Sequence, residues 1–310
     1  MPLPSLLRLF TLAALWGGSF LFLRVAAPVL GALPTTFGRV LLGAAGLALL
    51  LAALRLRPRF EGKLAATMAL GVVNSGVPFL MFAFAARSLP AGYSAILNAT
   101  TPLMGVLIGA LAFGERITAA RVAGVCLGVA GVAVLAQAGP VALTPEVLGG
   151  IAACLVATAC YGAAGFLTRR WITARGGLDA RVVALGSQIG AVLVLVPFVA
   201  WELWRTPAAP AAWAAAPPVV WGALLALGLA CTALAYVLYF RLIADVGPMK
   251  ALTVTFLIPL FGVAWGWLLL GERAGLAHAA GGGLIAAALW LVLRPVPPAA
   301  PVPAAQGARP

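Results

Sequence analysis

Charged residues are scarce in this chain of 310 residues. Asp, Glu, Lys and Arg together make up only 9% of it, whereas 64% is hydrophobic and the mean hydropathy is +1.10. A soluble domain carries roughly a quarter charged residues, so this chain lacks the polar surface that water requires. Apolar runs of about 20 residues, the length of a helix that crosses a bilayer, recur along it. The sequence therefore predicts an integral membrane protein.

The residues on which acid–base chemistry depends are equally few. The chain has seven acidic residues and one histidine, His278, with no cluster of partners around it in the sequence. An active site needs acid, base or nucleophilic groups that converge, so we expect no enzyme and no catalytic residue. Every carboxylate falls at the end of an apolar run or between two runs: Glu61, Glu115, Glu146, Asp179, Glu202, Asp245 and Glu272.

Paired cysteines and phosphate-binding loops are absent as well. The four cysteines lie inside apolar runs without metal-ligand spacing, so we expect small hydrophobic side chains and neither a metal site nor a cofactor. No glycine-rich loop follows a strand pattern, which argues against ATP-driven transport. The net charge of +13 comes from short basic clusters between apolar runs, a pattern that orients membrane helices, and we expect no nucleic-acid partner.

Hydropathy predicts an all-α fold with ten transmembrane helices, because the alternating segments of a membrane barrel are missing. A first five-helix unit occupies residues 1–136, a loop residues 137–147, and a second unit residues 148–294. The Pro- and Ala-rich residues 295–310 are expected to form a disordered tail. The predicted helices are Leu6–Val25, Phe37–Leu54, Leu64–Ala86, Ala91–Phe113, Ala119–Ala136, Leu148–Leu167, Val182–Trp201, Val219–Phe240, Pro248–Leu270 and Gly275–Leu293.

One stretch of the chain occurs twice. PLMGVLIGALAFGER at Pro102–Arg116 corresponds without a gap to PLFGVAWGWLLLGER at Pro259–Arg273, 157 residues later. Trp16-Gly17 corresponds to Tyr161-Gly162 at a spacing of 145 residues. Internal repeats of this kind are typical of secondary transporters. We therefore interpret the chain as two copies of one membrane unit.

The two copies are predicted to cross the membrane in opposite directions, because each contains an odd number of helices. If the N-terminus is cytoplasmic, most Lys and Arg residues fall in cytoplasmic loops, among them Arg55, Lys63, Arg169 and Arg170. Short cytoplasmic loops are enriched in these residues. Both termini are therefore predicted to be cytoplasmic.

Polar residues and prolines lie near the middle of several predicted helices. A proline leaves a backbone carbonyl without its donor, and in a bilayer such a group must face protein or water. Breaks at matching positions of two halves are the best sequence indication of a midplane site. The candidates for lining a substrate cavity are Trp16, Ser19, Asn74, Ser75, Tyr93, Asn98, Thr101, Tyr161, Tyr236, Tyr239 and Thr253.

Packing offers an alternative interpretation of the same features. The prolines could be kinks that Ser and Thr satisfy, and Trp or Tyr could be interfacial anchors, which we favour for Trp201, Trp204 and Trp221. Twin GxxxG patterns permit close helix approach. The candidates for helix breaks and close packing are Pro78, Pro102, Pro259, Gly105, Gly109, Gly262 and Gly266.

Charged side chains near the predicted membrane interior are few. Arg24, Arg39 and Lys250 fall near predicted helix ends, where basic side chains extend to the bilayer surface, although they could also attract a carboxylate. Proton relays use buried Asp or Glu, and none is predicted mid-helix. This favours a facilitator, an exchanger or a potential-driven carrier over a carboxylate-based proton antiporter.

The doubled stretch, with the aromatic-Gly pair in the first helix of each half, resembles EamA-type carriers of the drug/metabolite transporter superfamily. Within it, the arrangement is similar to bacterial amino-acid exporters of the YddG type. The resemblance implies a multi-pass protein of the bacterial inner membrane, with a central cavity lined by helices one to four and six to nine. Helices five and ten would be peripheral. The ends Glu115-Arg116 and Glu272-Arg273 are expected to stop helices and form local ion pairs.

From the repeat and this resemblance we expect a secondary transporter that exports amino acids or similar small metabolites by alternating access. A broad drug or metabolite efflux carrier is the alternative within the class. A lipid-active membrane enzyme is the alternative from another class, but it would need a clustered His or Asp site. The expected partners are a small-molecule substrate and membrane lipid; a monomer is compatible with the sequence, and the oligomeric state stays open.

Overall fold

The computed structural model describes residues 1–115, 118–138, 142–247, 251 and 253–293, and these residues form helices and no strand. Seven helices are long and apolar enough to cross a membrane, and three are shorter. The predicted all-α membrane fold is confirmed, while the count of ten spans stays a prediction. The helices are α1 (Leu3–Leu30), α2 (Ala32–Ala53), α3 (Leu64–Ala85), α4 (Ala91–Phe113), α5 (Ala119–Ala138), α6 (Pro145–Trp171), α7 (Ala180–Arg205), α8 (Pro218–Val246), α9 (Val254–Leu270) and α10 (Leu276–Leu293).

Several helices are longer than hydropathy predicts. The connection between α1 and α2 is the single residue Gly31, whose φ of +92° is accessible to glycine. Helix α2 begins five residues before the predicted Phe37, because Pro34 lies in its first turn, where a proline needs no hydrogen-bond partner. The loop after α7 contains a short helix, Ala209–Ala214. Part of the predicted inter-repeat loop, Arg116, Lys250 and the predicted tail lie outside the described residues.

Helices α3 and α8 widen near their middles. Val72–Gly76 in α3 and Ala226–Leu234 in α8 are wound as π-helix, and the two segments overlap when the repeat spacing of 157 residues is applied. Such segments are rare and are frequent at functional sites. Pro78 follows the first of them and lies in the first turn of the resumed α-helix. The polar residues of these two helices therefore lie on matching irregular turns.

Helices α4 and α9 differ, although both carry the doubled sequence. The α-helical winding of α4 is interrupted after Asn98, and it resumes at Thr101 with Pro102 in its first turn. Pro259 lies inside the continuous helix α9. The two prolines correspond in sequence, so the break in α4 is set by its surroundings and not by the proline alone.

Contacts between the two halves are made in matching pairs. Helix α1 packs on α9 and α6 on α4; α2 packs on α8 and α3 on α7. Helices α5 and α10 pack chiefly on each other, at the edge of the bundle, as expected. The boundaries of the two predicted units stay a prediction. The contacts that one half makes with the other are nevertheless repeated by the corresponding helices of the other half.

Glycines allow the backbones of two of these pairs to touch. A Cβ on Gly162 of α6 would lie 2.8 Å from the backbone nitrogen of Gly105 in α4. A Cβ on Gly17 of α1 would lie 2.9 Å from the backbone nitrogen of Gly262 in α9. Contacts below 3.0 Å to backbone cannot be relieved by a side-chain rotation. Each aromatic-Gly pair thus packs against the copy of the doubled stretch that lies in the other half.

Substitution of Gly162 tests this contact. We expect Gly162→Ala to destabilise the protein by about 1–3 kcal/mol, because overpacking forces two backbones apart. The measurement is thermal unfolding in detergent. Gly165 lies one turn further along the same helix, and a Cβ added there would meet nothing within 4 Å, so Gly165→Ala is the matched control. Equal melting temperatures for the two variants would contradict the interpretation.

Candidate functional site

A cavity of about 490 Å³ lies between the two halves, near the middle of the bundle. It borders α1, α2, α3 and α4 on one side and α6, α8 and α9 on the other. Its wall combines aromatic rings with hydroxyl and amide groups and one guanidinium group. The lining residues are Trp16, Ser19, Phe20, Leu23, Arg39, Asn74, Phe79, Phe82, Asn98, Ala99, Thr101, Pro102, Tyr161, Cys231, Thr232, Tyr236, Tyr239, Val254, Thr255, Phe256 and Ile258.

The side chains that line the cavity are buried toward one end of the bundle and include an exposed one toward the other. We call the end of the bundle where α1, α3 and α9 finish the Glu272 end, and the opposite end, where α8 finishes, the Asp245 end. Leu23 and Phe82, toward the Glu272 end, are only 1% and 3% exposed. Phe256, near the start of α9 and toward the Asp245 end, is 40% exposed. The lining of the cavity therefore differs in burial between its two ends.

Eight of the predicted lining residues border the cavity, and they come from helices of both halves. Asn74 lies in the π-helical turn of α3, and Asn98 and Thr101 flank the break in α4. These breaks leave polar groups at the cavity wall, which is where unsatisfied backbone is tolerated in a membrane. The eight are Trp16, Ser19, Asn74, Asn98, Thr101, Tyr161, Tyr236 and Tyr239.

Aromatic rings from both halves meet across the cavity. Trp16 of α1 lies with its ring centroid 5.4 Å from that of Tyr239 in α8. Tyr161 of α6 stacks on Phe82 of α3, with centroids 6.2 Å apart. Contacts of this kind stabilise by about 0.5–1.5 kcal/mol beyond the burial of apolar area. Trp16 and Tyr161, the aromatic members of the repeated pairs, therefore occupy corresponding places on opposite walls.

Three predicted lining residues lie elsewhere. Ser75 is fully buried between α3 and α7, where its hydroxyl accepts a hydrogen bond from Nε2 of Gln188 at 2.9 Å. Tyr93 is fully buried against the ring of His278. Thr253 is exposed just before α9. Asn74 and Thr255, one and two positions away from Ser75 and Thr253, do line the cavity. For these two residues the prediction therefore chose the right stretch of helix but the wrong face.

Arg39 is the main residue that the sequence interpretation misplaced. It is not at a helix end; it is 5% exposed and lies two turns inside α2, facing the cavity. Its Nε donates to Oγ1 of Thr232 at 3.2 Å, and its guanidinium carbon lies 3.7 Å from the centroid of the Phe79 ring. The error follows from the predicted start of α2, because a helix that began at Phe37 would leave Arg39 in its first turn.

Other basic and acidic residues have structural partners. Arg24 donates to the backbone carbonyls of Ala86 and Arg87, at the end of α3. At the Asp245 end, Arg8 pairs with Asp245. Asp179 caps α7 there: its carboxylate accepts from the side chain and backbone N–H of Arg181, which lowers the pKa of that carboxyl. No carboxylate is among the described residues that line the cavity.

The Gly-Glu-Arg ends of α4 and α9 begin in the same way. Gly114 and Gly271 adopt φ values of +68° and +66°, and the next N–H donates back to Gly109 or Gly266 respectively. This left-handed ending is the common glycine C-cap. The prediction of helix stops thus matches the described geometry, and the next residue, glutamate, differs between the copies.

Glu272 joins the two halves and does not form the expected pair with Arg273. Its Oε1 accepts from the N–H of Ala91 at 2.7 Å and its Oε2 from that of Gly92 at 3.2 Å. It therefore caps the start of α4, where a negative charge also meets the positive end of the helix dipole. Gly266 leaves room for this carboxylate, because a Cβ there would collide with Oε2.

Glu115, the counterpart of Glu272, has a different contact. It lies 3.6 Å from the guanidinium of Arg169, with both side chains partly exposed. The carboxylate of Glu272 thus accepts from backbone N–H groups of the other half, whereas Glu115 meets the other half through a surface ion pair with Arg169. Exposed pairs contribute little, about 0–1 kcal/mol. We therefore expect the Glu272 cap to contribute more than the Glu115 pair to joining the two halves.

Comparison with known proteins identifies the family. The model of the EamA-like transporter family matches residues 3–137 and 148–294, which is most of the chain. The chain belongs to the EamA-like transporter family. It is accordingly a transporter and not an enzyme, and with its apolar helices it is a multi-pass membrane protein.

Two relatives extend this assignment. The chain is 24% identical over 279 residues to a probable terminal-alkyne amino-acid exporter of Streptantibioticus cattleyicolor, covering 90% of each protein. A crystal structure of a protein is similar with a TM-score of 0.60 and 21% identity, over 94% of this transporter and 96% of that chain. The second likeness supports the fold alone. The first supplies a substrate hypothesis.

Removal of the Glu272 carboxylate tests the cap on α4. We expect Glu272→Ala to speed amide hydrogen exchange at residues 91–94 by roughly 2- to 30-fold, the equivalent of the ~0.5–2 kcal/mol that an N-cap contributes. The measurement is hydrogen exchange read by mass spectrometry. Glu61→Ala, which removes an exposed carboxylate paired only with Lys63, is the control and leaves this exchange unchanged. Unaltered exchange in Glu272→Ala would refute the capping role.

Proposed function

We propose that this transporter exports amino acids or similar small metabolites by alternating access. The observation that carries the proposal is a cavity built from both halves, with lining side chains buried toward the Glu272 end and Phe256 exposed toward the Asp245 end. We interpret this difference as access from the Asp245 end alone. A carrier needs such one-sided access, since a path open at both ends would conduct without coupling. The name of the relative from Streptantibioticus cattleyicolor supports amino acids as the substrate class.

The size and lining of the cavity suit a small amphipathic solute. A volume near 490 Å³ falls within the range of small-molecule sites. Aromatic rings such as Trp16 and Phe82 offer an apolar surface, while Asn74, Asn98 and Thr101 offer hydrogen bonds. An amino acid has both kinds of group within a few ångströms.

The direction of access follows from the orientation that we propose. If basic loops are cytoplasmic, the Asp245 end faces the cytoplasm of a bacterial cell and the Glu272 end faces outward. The described conformation is then one that loads substrate from inside. Export would require the Glu272 cap on α4 to open while the Asp245 end closes.

A reporter fused to either terminus tests this orientation. It should be active only in the cytoplasm, and a periplasmic signal would reverse the proposed direction.

Efflux from proteoliposomes tests the substrate class. The purified protein is reconstituted and loaded in turn with labelled amino acids, nucleosides and a cationic dye. We expect net movement of at least one amino acid and none in protein-free liposomes. Movement of dyes or nucleosides without any amino acid would favour the broad efflux carrier, to which the aromatic wall of the cavity is also suited.

Two substitutions test whether transport uses the cavity. We expect Trp16→Ala and Asn98→Ala each to reduce the initial rate by about tenfold, because each removes a surface or a hydrogen bond that contacts the solute. Trp204 is 78% exposed near the end of α7, and Trp204→Ala is the matched control with an unchanged rate. Wild-type rates in both cavity variants would exclude these residues from the transport path.

A further inference from the structure

We propose that Arg39 is the binding site for a substrate carboxylate and makes the cavity selective for solutes that carry one. This inference rests on the proposed function and deepens it, because it assigns one chemical group of the substrate to one residue. Among the described residues, no carboxylate of the protein occupies that role. Burial of the charge, the contacts of the guanidinium and a neighbouring hydroxyl support the assignment.

The guanidinium of Arg39 is buried without a counter-ion. The residue is 5% exposed, and among the described residues no Asp or Glu lies within ion-pair distance of it. An arginine stays protonated in proteins, and an uncompensated charge in a membrane interior is costly. Side chains placed in this way usually pair with one another or mark a substrate path. The described contacts therefore leave a charge that a ligand can compensate.

The contacts of Arg39 fix its head group but leave donors available. Nε donates to Oγ1 of Thr232, whose own hydroxyl donates to the backbone carbonyl of Leu227 in the π-helical segment. The Phe79 ring lies against the guanidinium at 3.7 Å and offers its negative face. No further hydrogen bond to Arg39 occurs within the described part of the chain. The two terminal nitrogens can therefore form the bidentate contact that a carboxylate prefers.

Ser19 supplies a second and independent observation. It lines the same cavity and is 5% exposed, and the hydrogen bond that the described residues offer its Oγ is a weak one to a thiol. Its neighbour across the helix contact is Cys231, adjacent to the Thr232 that holds Arg39. Because a thiol is a weak hydrogen-bonding group, this buried hydroxyl can still bind a stronger acceptor. A carboxylate held by Arg39 has a second oxygen that can accept from such a hydroxyl.

The corresponding position in the other half has no charge. The packing glycines of α3 and α8 relate Arg39 to Ser187: a Cβ on Gly228 would press on the carbonyl oxygen of Arg39, and a Cβ on Gly71, 157 residues earlier, would press on that of Ser187, which is buried and neutral. The polar contact at that crossing is the neutral bond from Gln188 to Ser75. The cavity is therefore electrically asymmetric although the fold is repeated. A substrate is expected to bind with its anionic group toward α2 and α8 and its remaining part toward the aromatic wall.

Matched ligands test the carboxylate requirement. We measure binding of L-phenylalanine, 3-phenylpropionate and L-phenylalaninamide to the purified transporter in detergent, through the change in tryptophan fluorescence. Charge-assisted hydrogen bonds predict that the two acids bind roughly 10- to 100-fold more tightly than the amide. Equal affinity of acids and amide for the wild type, or no binding of any of them, would overturn the assignment.

Substitutions locate the preference at Arg39. Arg39→Met removes the charge and keeps an unbranched side chain of similar stem length, and we expect acids and amide then to bind equally weakly. Arg39→Lys keeps the charge and retains part of the preference. Arg170 is exposed at the end of α6, and Arg170→Met is the control that keeps the wild-type preference. An acid preference that survives in Arg39→Met would refute the proposal.

Thermal unfolding separates a ligand-binding arginine from a structural one. Because the charge is buried without a carboxylate, Arg39→Met without ligand is expected to melt at the same temperature as the wild type or higher. A lower melting temperature together with an unchanged acid preference would show a structural role. Failure of the proposed function is distinguishable: proteoliposomes would then move no amino acid, while 3-phenylpropionate would still bind in an Arg39-dependent way.

Discussion

Direct backbone contact between glycines of the two halves is the constraint on which the rest of this transporter depends. In a bilayer, apolar side chains gain little by leaving lipid, so helices associate through close packing. Gly17 meets Gly262, and Gly162 meets Gly105, at distances that no side chain would permit. These contacts hold α1 on α9 and α6 on α4. They set the separation of the halves, and therefore the width of the cavity between them.

The same contacts position the cavity wall. Trp16 and Tyr161 directly precede Gly17 and Gly162, so each ring is held beside a fixed helix crossing while it faces the cavity. On α3 and α8, the π-helical turns bring the equivalent residues Ser75 and Thr232 into polar contact with the second helix of the opposite half. The packing glycines thus fix the distance between helices, and the π-helical turns present polar groups.

The repeated architecture carries two departures from symmetry, and both concern charge. Glu272 caps the start of α4, whereas the described contact of Glu115 is the exposed Arg169. Arg39 faces the cavity from α2, whereas its counterpart on α7 is the neutral Ser187. The first difference places a partly buried backbone cap at one end of the bundle and a surface ion pair at the other. The second gives the cavity a positive pole without disturbing the packing that both halves share.

Much of the fold could be predicted because a bilayer leaves few options. The scarcity of charge required membrane helices, and the doubled stretch indicated a repeated unit; the all-α fold and the transporter family are confirmed. Placement of site residues was less predictable. Ser75 and Tyr93 were grouped with lining residues on composition, but a rotation of one residue, about 100°, turns a side chain from cavity to helix contact.

The sequence by itself determined the membrane environment, the helical fold and the internal repeat, since these depend on composition and spacing along the chain. Tertiary structure alone decided which polar groups face the cavity and what pairs with each charge. Arg39 resembled a side chain at the membrane surface until Thr232 and Phe79 of other helices were found around it. Glu272 resembled half of a local ion pair until α4 was found beside it. Both outcomes depend on residues far away in sequence, which no local pattern records.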